Sequence, residues 1–182
     1  EEEIGSPNID AVVDAHAARL SADAAVIPDT QFFTAELPSI TYGLRGLAYF
    51  ELELRGPSED VHSGLHGGAV ANPADALARL VAALHDETGR VMLDGFYDAV
   101  RPVTDAERAA WSELPFDEAA YAASLGVSAL GGGEAGHGVL ERLWARPTLD
   151  ANGIVAGYAG AGAKTIIPSR ATAKISCRLV PD

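Results

Sequence analysis

The chain has 182 residues, with 26 Asp and Glu against 13 Lys and Arg, a formal charge of −13 at pH 7. With 48% hydrophobic and 21% charged residues it is globular, neither disordered nor fibrous, and its length allows one ordinary domain or a small domain plus a fragment. The acidic balance excludes a basic patch for nucleic acid, no apolar run nears the ~20 residues that span a bilayer, and the single Cys177 excludes an internal disulfide.

One cysteine fits a reducing compartment, and a cytoplasmic location is expected. The sequence does not start with Met, opens within Glu1-Glu2-Glu3 and stops at Pro181-Asp182 after a strand-like segment. We expect a piece of a longer protein, so the lack of a signal peptide carries no weight.

In chain order, Gly5-Ser6-Pro7-Asn8 reads as a turn. Ile9 to Leu20 reads as a helix, with Val12, Val13, His16 and Leu20 at helical spacing. Ala24-Ala25-Val26-Ile27, closed by Pro28-Asp29, suits a short buried strand, so residues 1–43 are expected to be part of an α/β layer. The pattern then changes. Leu47 to Arg55 alternates, with Ala48, Phe50, Leu52 and Leu54 on one face of a half-buried antiparallel strand. A Gly/Ser/His loop follows over 56–71. Asn72 then caps a helix with Pro73 at its first position, Asp75 near its positive end, and Leu77, Leu80, Val81 and Leu84 as its buried stripe.

Residues 89–103 read as irregular, and 104–125 as one or two short helices around Trp111 and Tyr121. The glycines at 131–133, with Gly136 and Gly138, bracket a loop expected to be mobile. Ile154-Val155-Ala156 suggests a strand. The last strand runs from Ala173 to Val180, with Ala173, Ile175, Cys177 and Leu179 facing the core and Arg178 facing away. The fold class expected is α+β: a two-layer sandwich of antiparallel sheet with helices on one face, preceded by the α/β fragment.

Three places can carry chemistry. Neighbouring carboxylates on an extended segment point opposite ways, so within Glu1-Glu2-Glu3 one can ligate a metal while its neighbour acts as base; alone, the run reads as a solvated acidic cluster. Asp29 ends a short apolar run, where a carboxylate is often a turn former. Asp60-Val61-His62-Ser63-Gly64-Leu65-His66-Gly67-Gly68 is the strongest local signal. A histidine among glycines has little to pack against and is free to donate a hydrogen bond or assist proton transfer. A metal pair of His62 and His66 needs a helix, which the glycines argue against. His16, His85 and His137 lack acidic companions at ligand spacing. Gly160 to Thr165 fails the phosphate-loop spacing, and Pro168 forbids the helix that should follow. Arg178 can fork onto a carboxylate or form a surface ion pair.

Taken together, Glu2-Glu3-Ile4-Gly5-Ser6, Asp60-Val61-His62-Ser63-Gly64 with Gly67-Gly68, and Ala163-Lys164-Thr165-Ile166-Ile167-Pro168 leading to Ser176-Cys177-Arg178-Leu179-Val180-Pro181 resemble the di-zinc metallopeptidase family of aminoacylases, carnosinases and bacterial dipeptidases. The middle motif is similar to the carnosinase and dipeptidase branch. The resemblance implies a fragment of an α/β catalytic domain over 1–43 and a lid, which is also the dimerisation domain, over 44–182, with an insertion around 89–150. It implies Glu2 as general base, Glu3 and Asp29 as ligands of one zinc each, and His62 as a catalytic lid residue that reaches the partner subunit's active site and stabilises the tetrahedral intermediate. Thr165 and Arg178 would grip the substrate, the arginine taking its C-terminal carboxylate. The cofactor implied is zinc, two ions in the complete enzyme, with manganese or cobalt as alternative divalent metals. The partners implied are a dipeptide or related small amide and a second copy of the chain.

The family's His-x-Asp motif and its final histidine ligand have no counterpart in this sequence, which leaves two of the five expected metal-binding residues. We therefore expect this chain alone to be inactive and to bind zinc weakly. Two alternatives stand beside the dipeptidase reading: a homodimerisation module without catalysis of its own, and an N-acyl amino acid amidohydrolase of the same family.

Overall fold

The computed structural model describes residues 2–180, excluding the side chain of Glu2. The chain folds as two separate units, Glu1–Tyr42 and Gly43–Asp182.

The first unit holds a 3-10 turn at Glu2–Ile4 and the expected helix α1, Ile9–Leu20. None of the residues of α1 is buried, and its apolar Ile9, Val12, Val13 and Leu20 are about half exposed. The strand expected at 24–27 does not form: Val26 is 88% and Ile27 77% exposed. A strand exists only beside a partner that accepts its ladder. Among the described residues of this unit the one such pairing is an isolated bridge between Thr34 and Leu37. The α/β layer expected over 1–43 is therefore reduced to a helix and irregular chain.

The second unit is α+β. Strand β1 (Gly46–Arg55) is followed by the two-residue β2 (Val61–His62), helix α2 (Ser63–His66) and helix α3 (Pro73–Ala82). Helices α4 (Asp105–Ser112), α5 (Glu118–Ser124) and α6 (Val139–Trp144) come next, then β3 (Thr148–Ala156), β4 (Ile166–Ile167) and β5 (Arg170–Leu179). The main sheet has the order β1-β5-β3, antiparallel throughout, so the last strand in sequence lies at the centre. Beyond it the ribbon continues as the β2-β4 pair.

Helix α3 forms as its sequence dictates. The Asn72 side chain accepts the Ala74 N–H, Pro73 occupies the first turn, and Leu77 is fully buried against Ala171 and Ala173 of β5. The remainder of the expected stripe is graded: Val81 and Leu84 are half-buried, while Leu80 is 39% exposed. Ala173, Ile175 and Cys177 line the core as alternation requires, but Leu179 is 37% exposed. Phe50 and Ile154, which share the core-facing side with them, are each 54% exposed on the two edge strands. The core runs along the central strand and reaches Leu149 of β3 and Leu52 of β1, while Phe50 and Ile154 on the same edge strands stay uncovered.

Strand β3 begins six residues before the expected segment. A bulge between Ala151 and Gly153 inserts Asn152, so Leu149 and Ala151 face the core before it and Ile154 and Ala156 after it. The extra residue breaks the period of two that would have revealed the whole strand.

The insertion is tied down by charge. Glu134 is 8% exposed, and its two oxygens take Arg90 at 2.8 Å and Arg146 at 2.5 Å. Both guanidiniums also lie over the Tyr97 ring, at 4.0 and 5.2 Å. The loop expected to be mobile thus carries a buried anchoring carboxylate, and helix α6 follows it directly. His137, expected to lack acidic companions, sits 2.7 Å from Glu141 and 3.7 Å from Glu134. Arg108 on α4, whose capping box is Thr104 and Glu107, reaches Glu141 at 3.2 Å. Among the described residues no helix is long and apolar enough to cross a membrane.

Candidate functional site

Two segments far apart in sequence meet at the β2-β4 end of the ribbon. Val61 pairs with Ile167 and His62 with Ile166, and the Ser63 N–H donates to the Thr165 carbonyl at 2.9 Å. Asp60 closes the junction by accepting the Ser169 N–H at 2.7 Å. These bonds carry His62 to Thr165 across 103 positions, leaving His62 Nε2 3.1 Å from Thr165 Oγ1.

Local chemistry holds the imidazole. His62 is the N-cap of α2, and the Gly64 N–H donates to its Nδ1 at 3.0 Å. A Cβ on Gly64 would stand 2.7 Å from His62 Cε1, so only glycine lets the ring sit there. Gly67 is required for a similar reason, because a Cβ would meet the Ser63 carbonyl oxygen at 2.4 Å. The glycines expected to exclude a helix therefore allow one short turn of it. They do so by admitting close approach, and His62 serves as the cap of that turn. His62 and His66 do not make a metal pair: the His62 ring is engaged by Gly64 and Thr165, and no cluster of three or more potential ligands occurs among the described residues.

Both His62 and Thr165 are exposed residues. The chain before Thr165 is also organised. Tyr158 Oη donates to the Ala161 carbonyl at 2.8 Å, and Lys164 Nζ lies 5.0 Å over the Tyr158 ring. No helix follows Thr165, in keeping with the rejected phosphate loop.

Arg178 is elsewhere. It is exposed near the far end of β5, beside Leu47 of β1 and Thr148 of β3, on the face opposite the core. From Arg170 to Arg178 is eight steps of extended chain (178 − 170), about 27 Å at ~3.4 Å per residue. One chain therefore does not bring Arg178 to the His62–Thr165 pair. Burial and the charge of Arg178 both lower the affinity of the nearby Arg45 for its proton, while Asp150 opposes them. Arg45 spends its Nη1 on the carbonyls of Arg142 and Arg146 at 3.4 and 3.3 Å.

The expected metal ligands lie in the other unit. Glu3 is exposed in the opening 3-10 turn and Asp29 is exposed in irregular chain. The side chain of Glu2, the expected base, lies outside the described residues, as do Glu1, Pro181 and Asp182.

Sequence reasoning passed over a cleft of about 570 Å³ in the insertion, lined by His85, Thr88, Glu134, Arg142, Thr148 and Asp150 among others. Its most buried charged groups are engaged outside the cleft or by backbone: Glu134 holds Arg90 and Arg146, and Arg142 bonds to the carbonyls of Leu130 and Gly132. The signal that could have found it was the unusual Glu134 between glycines. Spent partners make it a structural joint, and the His62–Thr165 pair is the better candidate.

Residues 42–182 match a protein family described as the peptidase dimerisation domain. The Cys-Gly metallodipeptidase DUG1 of Candida albicans is 36% identical over 184 residues, covering 100% of this chain and 38% of that protein. The human Beta-Ala-His dipeptidase is 34% identical over 182 residues, covering 99% and 36%. Among solved structures, an M20 family metallo-carboxypeptidase from Sulfolobus solfataricus superposes with a TM-score of 0.84 at 35% identity, covering 99% of this chain and 41% of the other. The chain thus spans about two fifths of the length of each of these proteins.

Proposed function

We propose a function from one established premise: this chain belongs to the M20 peptidase family through its peptidase dimerisation domain. In our reading the complete protein is a metal-dependent dipeptidase that hydrolyses dipeptides with a free C-terminal carboxylate. It works in the cytoplasm as a homodimer joined through residues 44–182, which act as the lid, while residues 1–43 belong to the catalytic domain. The observation that carries this reading is the His62–Thr165 contact, where the two strongest motifs of the sequence meet on an exposed edge.

The site needs zinc, two ions, with manganese or cobalt as alternatives. Glu3 and Asp29 are assigned one ion each and Glu2 the general base. These residues do not make a metal site by themselves, because two exposed carboxylates lack the four donors that zinc takes and no third ligand joins them among the described residues. The 182-residue chain is accordingly assigned no turnover of its own, and the chemistry derived from it is substrate binding. His62 and Thr165 offer N–H and O–H donors to a carbonyl oxygen, and Arg178 offers a planar fork to a carboxylate.

Distance decides how these groups share a substrate. A dipeptide spans about 7 Å at ~3.5 Å per residue, far less than the roughly 27 Å between Arg170 and Arg178. One dipeptide cannot touch both ends of the same chain. In a two-fold dimer each site takes His62 and Thr165 from one subunit and Arg178 from the other.

The test is complementation in the complete enzyme, assayed with zinc on Cys-Gly and β-Ala-His. His62→Ala should lower kcat roughly 100-fold or more, as loss of an oxyanion donor does. Arg178→Ala should be similarly crippled through KM. Subunits of the two variants, mixed and re-equilibrated, form heterodimers that each keep one intact site, which restores about a quarter of wild-type activity in a statistical mixture. Failure of the mixture to recover would refute the shared site, and hydrolysis untouched by a chelator would refute the metal. Preference for N-acetyl amino acids over dipeptides would favour the amidohydrolase alternative, which presents the same carboxylate. No hydrolysis of either class by the complete protein would favour the pure lid module.

A further inference from the structure

Backbone register fixes what stands around Arg178. On the side of the main sheet that faces away from the core, β5 carries Ser176 and Arg178. Thr148 of β3 and Leu47 of β1 share the rung of Arg178, and Asp150 and Tyr49 share that of Ser176. Asp150 is thus a diagonal neighbour of Arg178 at about 7–8 Å. Lys174, the next outward residue of β5, lies on its other side. The Thr148 hydroxyl donates to Asp150 Oδ2 at 3.2 Å, however, and draws the carboxylate toward the Arg178 rung. Arg178 and Asp150 are both exposed, and neither enters an ion pair among the described residues.

The two charges act on the same ground. Burial and Arg178 lower the hold of Arg45 on its proton, and Asp150 raises it. Ser176 is only 8% exposed, so a ligand on Arg178 lies against the ends of the flanking side chains. Asp150 also lines the cleft of about 570 Å³, which leaves open space beside it. A fixed carboxylate next to the place where a ligand carboxylate docks discriminates among whatever else that ligand carries.

We infer that Asp150 is a specificity-determining residue that reads the side chain of the substrate's C-terminal residue, favouring a cationic side chain and rejecting a second carboxylate. The inference rests on the role given above to Arg178 and deepens it: one subunit supplies both the fork for the C-terminal carboxylate and the charge beside it. With that carboxylate on Arg178, the four-carbon stem of a lysine can carry its ammonium across the diagonal to Asp150. A glutamate in the same place meets a like charge instead.

The test compares Gly-Lys, Gly-Gln and Gly-Glu as substrates of the complete enzyme, read as kcat/KM near neutral pH. If N-acetyl amino acids are the class cleaved, the Nα-acetyl forms of the same three residues give the same reading. An exposed charge pair is worth up to about fivefold, and here attraction of one substrate multiplies repulsion of the other. Asp150→Asn keeps the shape and the bond from Thr148, and it should lower the Lys-to-Glu ratio about tenfold while leaving Gly-Gln unchanged. Asp150→Lys should reverse the preference, and salt at about 1 M should flatten it in the wild type. A ratio that Asp150→Asn leaves unmoved overturns the assignment. So does an equal change for all three substrates, whether a gain, which marks Asp150 as a mere competitor for Arg178, or a loss, which marks it as structural. Failure of the underlying reading looks different: Arg178→Ala then leaves KM unmoved for all three, or no dipeptide or N-acetyl amino acid is cleaved, and the role of Asp150 falls with it.

Discussion

Leu77 and Leu80 occupy the same helix and the same expected stripe, yet the fold treats them differently. Leu77 is 0% exposed beneath Ala171 and Ala173, and its neighbours Leu52, Leu54, Val81 and Ala156 complete the enclosure. Truncation to alanine removes three carbons, about 2.4 kcal/mol at ~0.8 kcal/mol each. The neighbours that would have to fill the space include three alanines on strands pinned in a ladder, so the void persists and raises the cost to about 4 kcal/mol. Leu80→Ala, at 39% exposure, should cost less than about 1 kcal/mol. Urea unfolding followed by circular dichroism reads both. With a slope near 2 kcal/mol per molar, Leu77→Ala should lower the midpoint by about 2 M and Leu80→Ala by under 0.5 M, with the slope unchanged. Equal losses from the two leucines, or a loss below about 1.5 kcal/mol at Leu77, would refute the seating of α3 on β5.

Two further outcomes concern the charges of the insertion. Glu134→Gln leaves the guanidinium of Arg146, only 13% exposed, without its carboxylate; it should cost about 3 kcal/mol in urea unfolding, nearly all of it from Arg146, since Arg90 is 46% exposed. Glu141 also tests the acid limb. Burial pushes its carboxyl up, but hydrogen bonds from Arg108 and His137 outweigh burial and hold it below the ordinary glutamate range. A depressed folded-state value means that the stabilisation is present above the unfolded value and is lost as pH falls through the folded one. Unfolding midpoints taken downward from pH 5 should therefore fall more steeply for the wild type than for Glu141→Gln, and parallel curves would refute the assignment.

Legibility in the sequence followed the range of the interactions involved. Helix α1 and the capped start of α3 were readable because their signals are local: a 3.6-residue period, an asparagine cap, a proline in the first turn. Strand β5 was readable because both its neighbours keep its alternation intact. What failed depended on partners. Ala24–Ile27 has the composition of a strand but no ladder beside it, and β3 hid its first half behind the Asn152 bulge. Helix α6 lay behind a glycine run whose carboxylate finds its arginines 44 positions upstream and 12 downstream, which no local window contains. At the candidate site, the motifs were visible as residues. The 103-position closure between His62 and Thr165, and the distance of Arg178 from it, are products of topology.

The placement of β5 at the centre of the sheet carries a cost in time. Strand β1 ends at Arg55 and the strand that pairs with it begins at Arg170, about 115 residues later. At ribosomal speeds of roughly 5–20 residues per second, β1 waits on the order of ten seconds for β5, its one ladder partner among the described residues. Throughout that interval a ten-residue amphipathic ribbon bearing Tyr49 and Phe50 has its backbone donors and acceptors unclaimed. The nascent chain is most exposed to misassembly with its neighbours on a polysome while the insertion is being made, and holding factors that shield extended apolar segments should act in that window.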